Sequence, residues 1–483
     1  MILLEMEQQS IFSLFHQITK IPRESGKEEK IVAYLINFAK ERGLSYKVDE
    51  ANNVLISKVA TEGREGAPTV ILQSHSDMVC EKNSNSNFNF DTDPIEYQEE
   101  DGWLIAKETT LGADCGIGMA AQLYILDSST ISHGAIEALF TADEERGLIG
   151  AQALQPNFMS GKILINLDSE DEGELFIGCA GGLDTTVEFP YTPTPLTQPL
   201  NFFKVGFFGA SGGHSGDEID KGLANANQLL FRYLLQLQSV GEYHLCSVEG
   251  GNKRNAIARE AYGIIAIEEA LIERSRELFN QTLLEIKGEY PKSDPNLNGL
   301  FESAPKSDSA IDRESAQKLI WAMNSAPHGV LAMSQEIEGL VESSTNLASI
   351  KIVEEGKIVI GTSQRSSIES AKHHAAAKVA SNFRLAGAEA YHLNQYPGWK
   401  PSKESPILDL TVSSYRKLFN QEPIVRAIHA GLECGMFLKN FPTLDMISFG
   451  PTVKGAHAPG ERVEIATVDK FMKLLIDLLE SIN

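Results

Sequence analysis

The sequence is poor in positive charge, in cysteine and in long apolar runs. Its 42 Lys and Arg residues are outnumbered by 66 Asp and Glu residues, which gives a formal net charge of −24. This charge argues against a nucleic-acid backbone or an anionic membrane as the main partner. No stretch approaches about 18 uninterrupted apolar residues, the minimum for a transmembrane helix, so none is predicted.

The five cysteines are an odd number, are widely spaced and form no CxxC pair. We therefore expect reduced thiols and a cytoplasmic protein. The first ten residues, MILLEMEQQS, contain neither a basic region nor a cleavage site of the A-x-A type, so no secretory signal is predicted.

What is present is an ordinary globular composition, with 42% hydrophobic and 22% charged residues, in a chain of 483 residues that is long enough for two domains. Up to about residue 190, helical and strand-like patterns alternate, which indicates an α/β domain with a central sheet. Helices are predicted at 9–20, 26–42 and 113–128, and buried strands at 69–75, 135–143 and 162–168.

A proline-rich stretch at 189–201 is typical of a linker. Between about 202 and 394 the pattern divides into two weakly similar halves, each with helices beside short strands. Helices on one face of antiparallel strands indicate an inserted α+β domain. The α/β pattern resumes at YPGWKP, 396–401.

His75 and Asp77 lie two positions apart at the end of a predicted strand, in ILQSHSDMV. Alternate residues of a strand project from the same face, so the carboxylate of Asp77 is expected beside the imidazole of His75. Such a carboxylate orients a metal-bound histidine. A buried histidine that is simply hydrogen-bonded by its neighbour explains the pair equally well.

Further acidic residues follow other predicted elements. Asp114 lies among glycines where a helix begins, which also suits a helix N-cap, and Asp168 ends an apolar strand, which also suits a solvated turn. The three consecutive acids Asp143, Glu144 and Glu145 are harder to explain as a turn. In a cleft they would repel one another and raise each other's pKa unless cations neutralise them.

In open α/β sheets, ligands bind outside the carboxyl ends of the strands, where His75, Glu144, Glu145 and Asp168 all fall. One histidine with several carboxylates suits zinc or a similar divalent ion, and the carboxylates suffice for two ions. His457, on a Gly/Pro-rich loop late in the chain, is a second histidine that could reach the same site.

From about residue 10 to the C-terminus, a series of motifs resembles the aminoacyl-histidine dipeptidases (Xaa-His dipeptidase, peptidase D) of the di-zinc aminopeptidase and carboxypeptidase superfamily. The motifs are, in order, HSDMV, TLGADCGIGMA, TADEERG, LINLDSEDEGELFIGCAGG, GGHSG, NAIARE, YPGWKP, HAGLECG and GAHAPGERV. One departure is Ser74, which occupies the glycine position of the family pattern GHxDMV.

The resemblance implies a fold and a domain division. It implies an α/β catalytic domain with a central mixed sheet, formed by residues 1–192 and 395–483. It also implies an α+β lid of two ferredoxin-like repeats at 193–394, which would close over the substrate and exclude water.

The resemblance further implies two bound divalent ions, with zinc expected and cobalt or manganese as alternatives. Their ligands would be the bridging Asp114, with His75 and Asp168 at one ion and Glu145 and His457 at the other. The peptide bond from Asp114 to Cys115 would be cis.

The activity implied is the hydrolysis of dipeptides, of Xaa-His type, by a water that bridges the two zinc ions. Glu144 would be the general base, and Asp77 would orient the first histidine ligand. His214 would stabilise the oxyanion, while Asn255 and Arg365 would hold the substrate. Taken singly, His214 also suits a turn and Arg365 a surface ion pair.

Several alternatives stay open at this stage. A tripeptidase, a carboxypeptidase or an amino-acid deacylase would share the fold and metals. Ser211 in GASGG matches a serine hydrolase motif, although a nucleophile elbow would open its helix at once. A non-catalytic zinc protein is disfavoured, because both Glu144 and Asp114 are present.

The remaining interpretations concern partners and one further motif. The expected partner is a small peptide, with no nucleic acid and no membrane, and the chain is expected to be a monomer or a homodimer. In HAGLECG, His429, Glu433 and Cys434 suit either the lining of a substrate pocket or a structural turn.

Overall fold

The computed structural model describes residues 10–483, which form two compact units. Unit 1 contains residues 10–179 together with Trp399–Ala427 and Leu432–Asn483. Unit 2 contains Ala180–Gly398 and the short segment Ile428–Gly431.

The described residues form eleven α-helices, one short 3₁₀ helix at Glu269–Leu271, and 23 strands. The helices are α1 (Ile11–Ile18), α2 (Glu29–Glu41), α3 (Ala113–Asp127), α4 (Ile149–Ala153), α5 (Ala226–Leu237), α6 (Ile272–Glu289), α7 (Arg313–Ser325), α8 (Glu369–Leu385), α9 (Pro406–Phe419), α10 (Glu433–Phe437) and α11 (Ile465–Ser481). The strands are β1 (Ser45–Val48), β2 (Val54–Lys58), β3 (Val70–His75), β4 (Tyr97–Glu100), β5 (Trp103–Ala106), β6 (Ile136–Thr141), β7 (Ile163–Asn166), β8 (Glu174–Cys179), β9 (Gly181–Pro190), β10 (Pro193–Pro195), β11 (Asn201–Phe208), β12 (Tyr243–Gly250), β13 (Ala261–Ile267), β14 (Asn298–Ser303), β15 (Ser309–Ile311), β16 (Gly329–Met333), β17 (Val341–Glu354), β18 (Lys357–Ser366), β19 (Glu389–Tyr396), β20 (Ile424–Ile428), β21 (Asp445–Ser448), β22 (Val453–Lys454) and β23 (Arg462–Glu464).

Unit 1 is built on an eight-stranded sheet in the order β1-β2-β6-β3-β7-β21-β8-β20. The neighbours β6, β3, β7 and β21 are parallel, whereas β1, β2 and β8 pair antiparallel. Every residue of β3 and β6 is buried, which explains why these strands are short continuous apolar runs in the sequence. The central mixed sheet is therefore confirmed, and its parallel strands end at one edge.

Helix α3 begins at Ala113, close to that edge, directly after a loop that ends at Gly112. Gly112 is in the left-handed region with φ of 69°, and Asp114 departs from helical geometry with ψ of 109°. The peptide bond from Asp114 to Cys115 is cis, as the resemblance implies. The side chain of Asp114 therefore does not serve as an ordinary N-cap of this helix.

Unit 2 contains a nine-stranded sheet, ordered β14-β11-β13-β12-β17-β18-β9-β19 with β16 added on β17. The first four strands of this spatial order come from one series of elements, which in chain order is β11-α5-β12-β13-α6-β14. The last four come from a second series, β9-α7-β17-β18-α8-β19. Each series has the βαββαβ connectivity of a ferredoxin-like unit. Counted in chain order and read from the outer edge of the sheet inward, both series place their strands in the order fourth, first, third, second.

The two repeats of unit 2 are not consecutive in the chain. Strand β9 pairs along its whole length with β18, so it is the first strand of the second repeat. The entire first repeat is inserted between β9 and α7. This is why unit 2 already begins at Ala180, before the proline-rich stretch, part of which pairs as β10 with β15.

Among the residues that the structure describes, no helix combines the length and the apolar composition that crossing a membrane requires.

Candidate metal centre

His75 lies at the end of β3 and is almost completely buried, with 1% of its surface exposed. Its Nε2 atom is 2.9 Å from Oδ1 of Asp114 and 3.3 Å from Oδ1 of Asp168. Its Nδ1 atom faces Asp77, at 3.4 Å from the carboxylate and 3.2 Å from the backbone carbonyl oxygen. The ring is thus oriented from one side by Asp77 and presents Nε2 to two other carboxylates.

The second carboxylate oxygen of Asp114 faces a different histidine. Oδ2 is 3.3 Å from Nε2 of His457, and this nitrogen is also 3.0 Å from the Glu145 carboxylate. Ligand atoms of Asp114, Glu145 and His457 all lie within 4.8 Å of one another. Asp114 therefore has one oxygen directed to each of two groups of potential ligands.

These groups have the composition of divalent-metal sites. Imidazole nitrogens and carboxylate oxygens are the usual ligands of zinc and related ions. Oδ1 of Asp168 is buried and has no hydrogen-bond partner within residues 10–483, which is typical of an oxygen that serves as a metal ligand. Cys115 also lies near His75 and Asp168, but burial raises the pKa of its thiol well above the usual range, which disfavours the thiolate.

The three consecutive acids of the sequence are directed to three different partners. Asp143 accepts two hydrogen bonds from Arg146, each 2.6 Å long. Glu145 contacts His457, whereas Glu144 has a ligand atom within 4.8 Å of one from His75. Asp143 is thus paired with a cation, whereas Glu144 and Glu145 stay close together, with ligand atoms within 4.8 Å of each other and of His75.

Asp77 also fixes the backbone of the acidic loop. Its two carboxylate oxygens accept hydrogen bonds from the backbone N–H groups of Glu144, at 3.0 Å, and Glu145, at 3.2 Å. Burial opposes its ionisation, but these contacts and His75 lower the pKa of Asp77 to about 2. One anionic side chain thus positions both a histidine and the loop beside it.

Glu144 has the electrostatic character of a proton acceptor. Burial raises the pKa of its carboxyl group well above the usual range, and the negative charges of Asp168 and Glu433 act in the same direction. The pKa of Asp114 is lowered instead, because hydrogen bonds from His457 and His75 outweigh its burial. Neighbouring carboxylates are thus driven apart in acidity, as in acid–base sites.

Two buried residues that the sequence analysis did not single out support this centre. Arg23 donates hydrogen bonds to the carbonyl oxygens of Ser76, Asp77 and Gly112. Glu461 accepts hydrogen bonds from the backbone N–H groups of residues 111–114. Glu461 lies within the motif GAHAPGERV, so the family resemblance could have drawn attention to it. Arg23 lies in none of the motifs.

Glu433, left open between pocket lining and a turn, is buried in the core of unit 1 at the start of α10. One of its oxygens accepts hydrogen bonds from Gln73, at 2.5 Å, and Thr141, at 2.8 Å. Burial raises the pKa of Glu433 to about 8. The Glu433 side chain thus links Gln73 of β3 with Thr141 of β6.

Ser74 has a specific partner in this chain. Its side chain is fully buried, and its hydroxyl donates a hydrogen bond to the Gln122 side-chain oxygen. Gln122 in turn donates to the carbonyl oxygens of Leu72 and Leu139. The extra hydroxyl at the glycine position of the pattern is therefore satisfied.

Unit 2 brings together the side chains predicted to hold a substrate. An Nη atom of Arg365 is 3.5 Å from Nε2 of His214, and the other donates to the Tyr396 hydroxyl at 3.3 Å. Asn255 is exposed, and its backbone carbonyl accepts a hydrogen bond from Ser215, next to His214. The three predicted residues therefore lie in adjoining segments.

His429 lies within the same part of unit 2. Its Nε2 atom is 2.7 Å from the hydroxyl of Ser344, which pairs with Arg365 across β17 and β18. Burial and the positive charge of Arg365 lower the pKa of His429 to about 3. The cluster therefore contains one neutral histidine beside a permanent cation.

Ser211 does not form a nucleophile elbow. Its hydroxyl donates to the carbonyl oxygen of Ser293 at 2.6 Å, and the next helix begins only at Ala226. A strand, a sharp turn and an immediate helix are what such an elbow requires.

Comparisons with known proteins agree with this geometry. The family model described as peptidase family M20/M25/M40 matches residues 71–481. The chain is 39% identical over 478 residues to the cytosol non-specific dipeptidase of Escherichia coli (strain K12), which covers 99% of this chain and 98% of that protein.

Solved structures extend the comparison. The crystal structure of aminoacylhistidine dipeptidase from Vibrio alginolyticus has a TM-score of 0.90 and 39% identity, covering 98% of this chain and 96% of that chain. The aminopeptidase PepT from Bacillus cereus has a TM-score of 0.58 and 15% identity over 99% of both chains, which is a similarity of fold alone. The predicted α/β class with a central mixed sheet is confirmed.

Proposed function

The chain belongs to peptidase family M20/M25/M40, and from this premise we propose that it is a dipeptidase whose active centre holds two divalent metal ions. The observation that carries the proposal is the arrangement around Asp114. One of its oxygens faces His75 and the other faces His457 and Glu145, so two groups of ligands share one carboxylate.

We propose the ligand set that the family resemblance implies. Asp114 is shared, His75 and Asp168 complete one group, and Glu145 and His457 complete the other. Zinc is the proposed ion, since the donors are imidazole nitrogens and carboxylate oxygens, with cobalt or manganese as alternatives. Two such ions would supply Lewis-acid activation of a water molecule and of the peptide carbonyl.

Glu144 is the proposed general base. It accepts a proton from the attacking water and then donates it to the amine nitrogen as the peptide C–N bond breaks. Burial and neighbouring negative charges raise the pKa of Glu144, which suits a carboxyl group that accepts a proton and later returns it. Asp77 holds the imidazole of His75 and the backbone of the Glu144 loop.

The substrate-binding groups come from unit 2, the inserted domain predicted as a lid. Arg365 is proposed to hold the free carboxylate of the dipeptide by charge-assisted hydrogen bonds. His214 would donate a hydrogen bond to the oxyanion, and Asn255 would contact the substrate backbone. Arg365 is only 7% exposed, and its guanidinium contacts Tyr396 and His214, which pre-orients it for one anionic group.

The substrate class proposed is the dipeptide, including Xaa-His. Two of the relatives described above are a non-specific dipeptidase and an aminoacylhistidine dipeptidase, which supports this class. The five cysteines are all free, which supports the proposed cytoplasmic location.

The test is hydrolysis of a substrate panel by metal-stripped protein before and after zinc is restored. The panel contains an Xaa-His dipeptide, β-alanyl-histidine, another dipeptide, a tripeptide, a carboxypeptidase substrate and an N-acetyl amino acid. We expect zinc-dependent cleavage of dipeptides that a serine-directed inhibitor does not affect. Preference for the tripeptide, the carboxypeptidase substrate or the acetylated amino acid would contradict the dipeptidase assignment. Metal-independent cleavage would contradict the metal centre.

A further inference from the structure

In the loop that carries Asp114, four consecutive backbone N–H groups donate hydrogen bonds to one carboxylate, that of Glu461. Oε2 of Glu461 accepts hydrogen bonds from the N–H groups of Leu111, at 2.6 Å, and Gly112, at 2.8 Å. Oε1 accepts from Ala113, at 2.7 Å, and Asp114, at 3.2 Å. Glu461 is only 2% exposed, so water does not compete for these four donors.

We propose that Glu461 is a positioning residue for the metal centre. By fixing four consecutive N–H groups, it sets the backbone from which Asp114 directs one oxygen toward His75 and the other toward His457. The inference rests on the proposed function, because it takes Asp114 as the shared ligand.

The position of Glu461 in the chain strengthens this inference. Glu461 follows His457 by four residues, so one loop supplies both a ligand and the group that holds the Asp114 loop. The same loop is also bonded to the segment that leads to Leu111. Ala106 donates its N–H to the Glu461 carbonyl oxygen, and Gly460 donates to that of Thr109, each at 3.0 Å.

The opposite side of the Asp114 loop is held by Arg23. Arg23 is only 1% exposed, and its guanidinium donates to the carbonyl oxygens of Gly112 and Asp77, each at 2.5 Å. A Cβ atom at position 112 would lie 2.4 Å from an Nη atom of Arg23, so this position requires glycine. The Gly112 peptide is therefore bound at its N–H by Glu461 and at its carbonyl by Arg23.

The chemistry requires a carboxylate and not merely a polar side chain. Each oxygen of Glu461 already accepts two hydrogen bonds. Glutamine has one acceptor oxygen, and its NH₂ group would face two N–H donors that it cannot satisfy. Glu461→Gln therefore removes about half of the hydrogen bonds while almost preserving the shape of the side chain.

The decisive experiment compares Glu461→Gln with a matched control, Glu137→Gln. Glu137 is also buried in unit 1, and its carboxylate accepts hydrogen bonds from the backbone N–H groups of Ser160 and Gly161. It supports a loop that carries no proposed ligand. Both full-length variants are stripped of metal, and their zinc affinity is measured by competition with a chelator. The visible spectrum of the cobalt-loaded protein reports the ligand geometry.

For Glu461→Gln we expect zinc affinity to fall by about 10–100-fold, with a changed cobalt spectrum, as is typical when a group that supports a ligand is altered. Glu137→Gln should keep affinity within about 2-fold of wild type even if its thermal stability drops, since its loop holds no ligand. Equal zinc affinity in Glu461→Gln and wild type would overturn the proposal, as would an equal loss in both variants. A wild-type protein that binds no zinc would contradict the proposed function as well.

Hydrogen exchange in the wild-type chain tests the inference even if Glu461→Gln does not fold. In the metal-free protein, the amides of residues 111–114 should be strongly protected, because Glu461 and not the metal holds them. Exchange of these amides at the rate of an unstructured peptide would overturn the proposal.

Discussion

The polar cluster in unit 1 is dominated by carboxylates, whereas the polar cluster in unit 2 is built around one cation, Arg365. Around Asp114, three further carboxylates accompany two histidines, and the acidic groups exceed the cations that could pair with them. Around Arg365, the neighbours are His214, His429 and Tyr396, and the Asp217 carboxylate lies 3.3 Å from Nδ1 of His214. A cluster with excess carboxylate suits metal cations, and one built on a guanidinium suits an anionic group such as a free carboxylate. The difference supports separate tasks, metal-assisted hydrolysis in one unit and recognition of a peptide end in the other.

The largest expected effect comes from Asp114→Ala. Both groups of ligands lose their shared member, so metal content and dipeptide hydrolysis should disappear together. Metal analysis and activity are compared with Asp171→Ala, which removes an exposed carboxylate paired with Lys454. Retention of two metal equivalents by Asp114→Ala would show that this carboxylate is not shared.

Glu144→Ala separates proton transfer from metal binding within unit 1. We expect turnover to fall by about 10²–10⁴-fold, the usual contribution of a general acid–base group. Metal content should stay near that of wild type, because Glu144 is not a proposed ligand. Substantial remaining activity, or loss of the metal, would remove the general-base assignment.

Arg365→Ala tests the role of the cluster around Arg365 in substrate binding. The loss of a charge-assisted hydrogen-bonding group should raise the KM for dipeptides by about 10–100-fold, with a smaller effect on kcat. Arg276→Ala is a suitable control, because Arg276 also lies in unit 2 and donates to the carbonyl oxygen of Phe301. An unchanged KM in Arg365→Ala would separate this residue from substrate binding.

The smallest expected effect concerns stability and pH. The pKa of His429 is lowered from 6.5 to about 3, chiefly by burial, so the unfolded chain binds a proton that the folded chain does not as pH falls through this range. The free energy of unfolding should therefore decrease from pH 6.5 towards pH 3. In His429→Gln this decrease should be smaller by about 1–3 kcal/mol.

Urea unfolding of the metal-free protein at several pH values measures this contribution. The control is His373→Gln, since His373 is half-exposed and paired with Glu369 on α8. An identical pH dependence of stability in wild type and His429→Gln would contradict a neutral, buried His429.

The sequence was most informative for site residues that lie at the carboxyl ends of strands. His75 and Asp168 follow apolar runs, and the structure places them 3.3 Å apart. Parallel strands end at one edge of a sheet, so their relation could be predicted without coordinates. Glu145 was grouped with them by the same rule, and His457 was a candidate because of its Gly/Pro-rich loop. Their pairing as ligands of one ion came only from the family resemblance, because no local pattern relates residues so far apart in the chain.

Other features could not be predicted because they depend on backbone contacts. Glu461 acts on the N–H groups of a loop about 350 positions earlier, and such contacts leave no residue pattern in that loop. Arg23 likewise belongs to no motif that marks it in the sequence. Strand β9 was overlooked because the proline-rich stretch after it suggested a boundary, whereas its pairing with β18 places it in unit 2.

The most direct test of the account is a zinc titration of the metal-free wild-type chain, with bound metal and dipeptide hydrolysis followed together. We predict that two zinc ions bind per chain and that hydrolysis reaches its maximum only when the second site is filled. Saturation at one ion per chain with full activity, or hydrolysis that does not depend on metal, would contradict two groups of ligands that share Asp114.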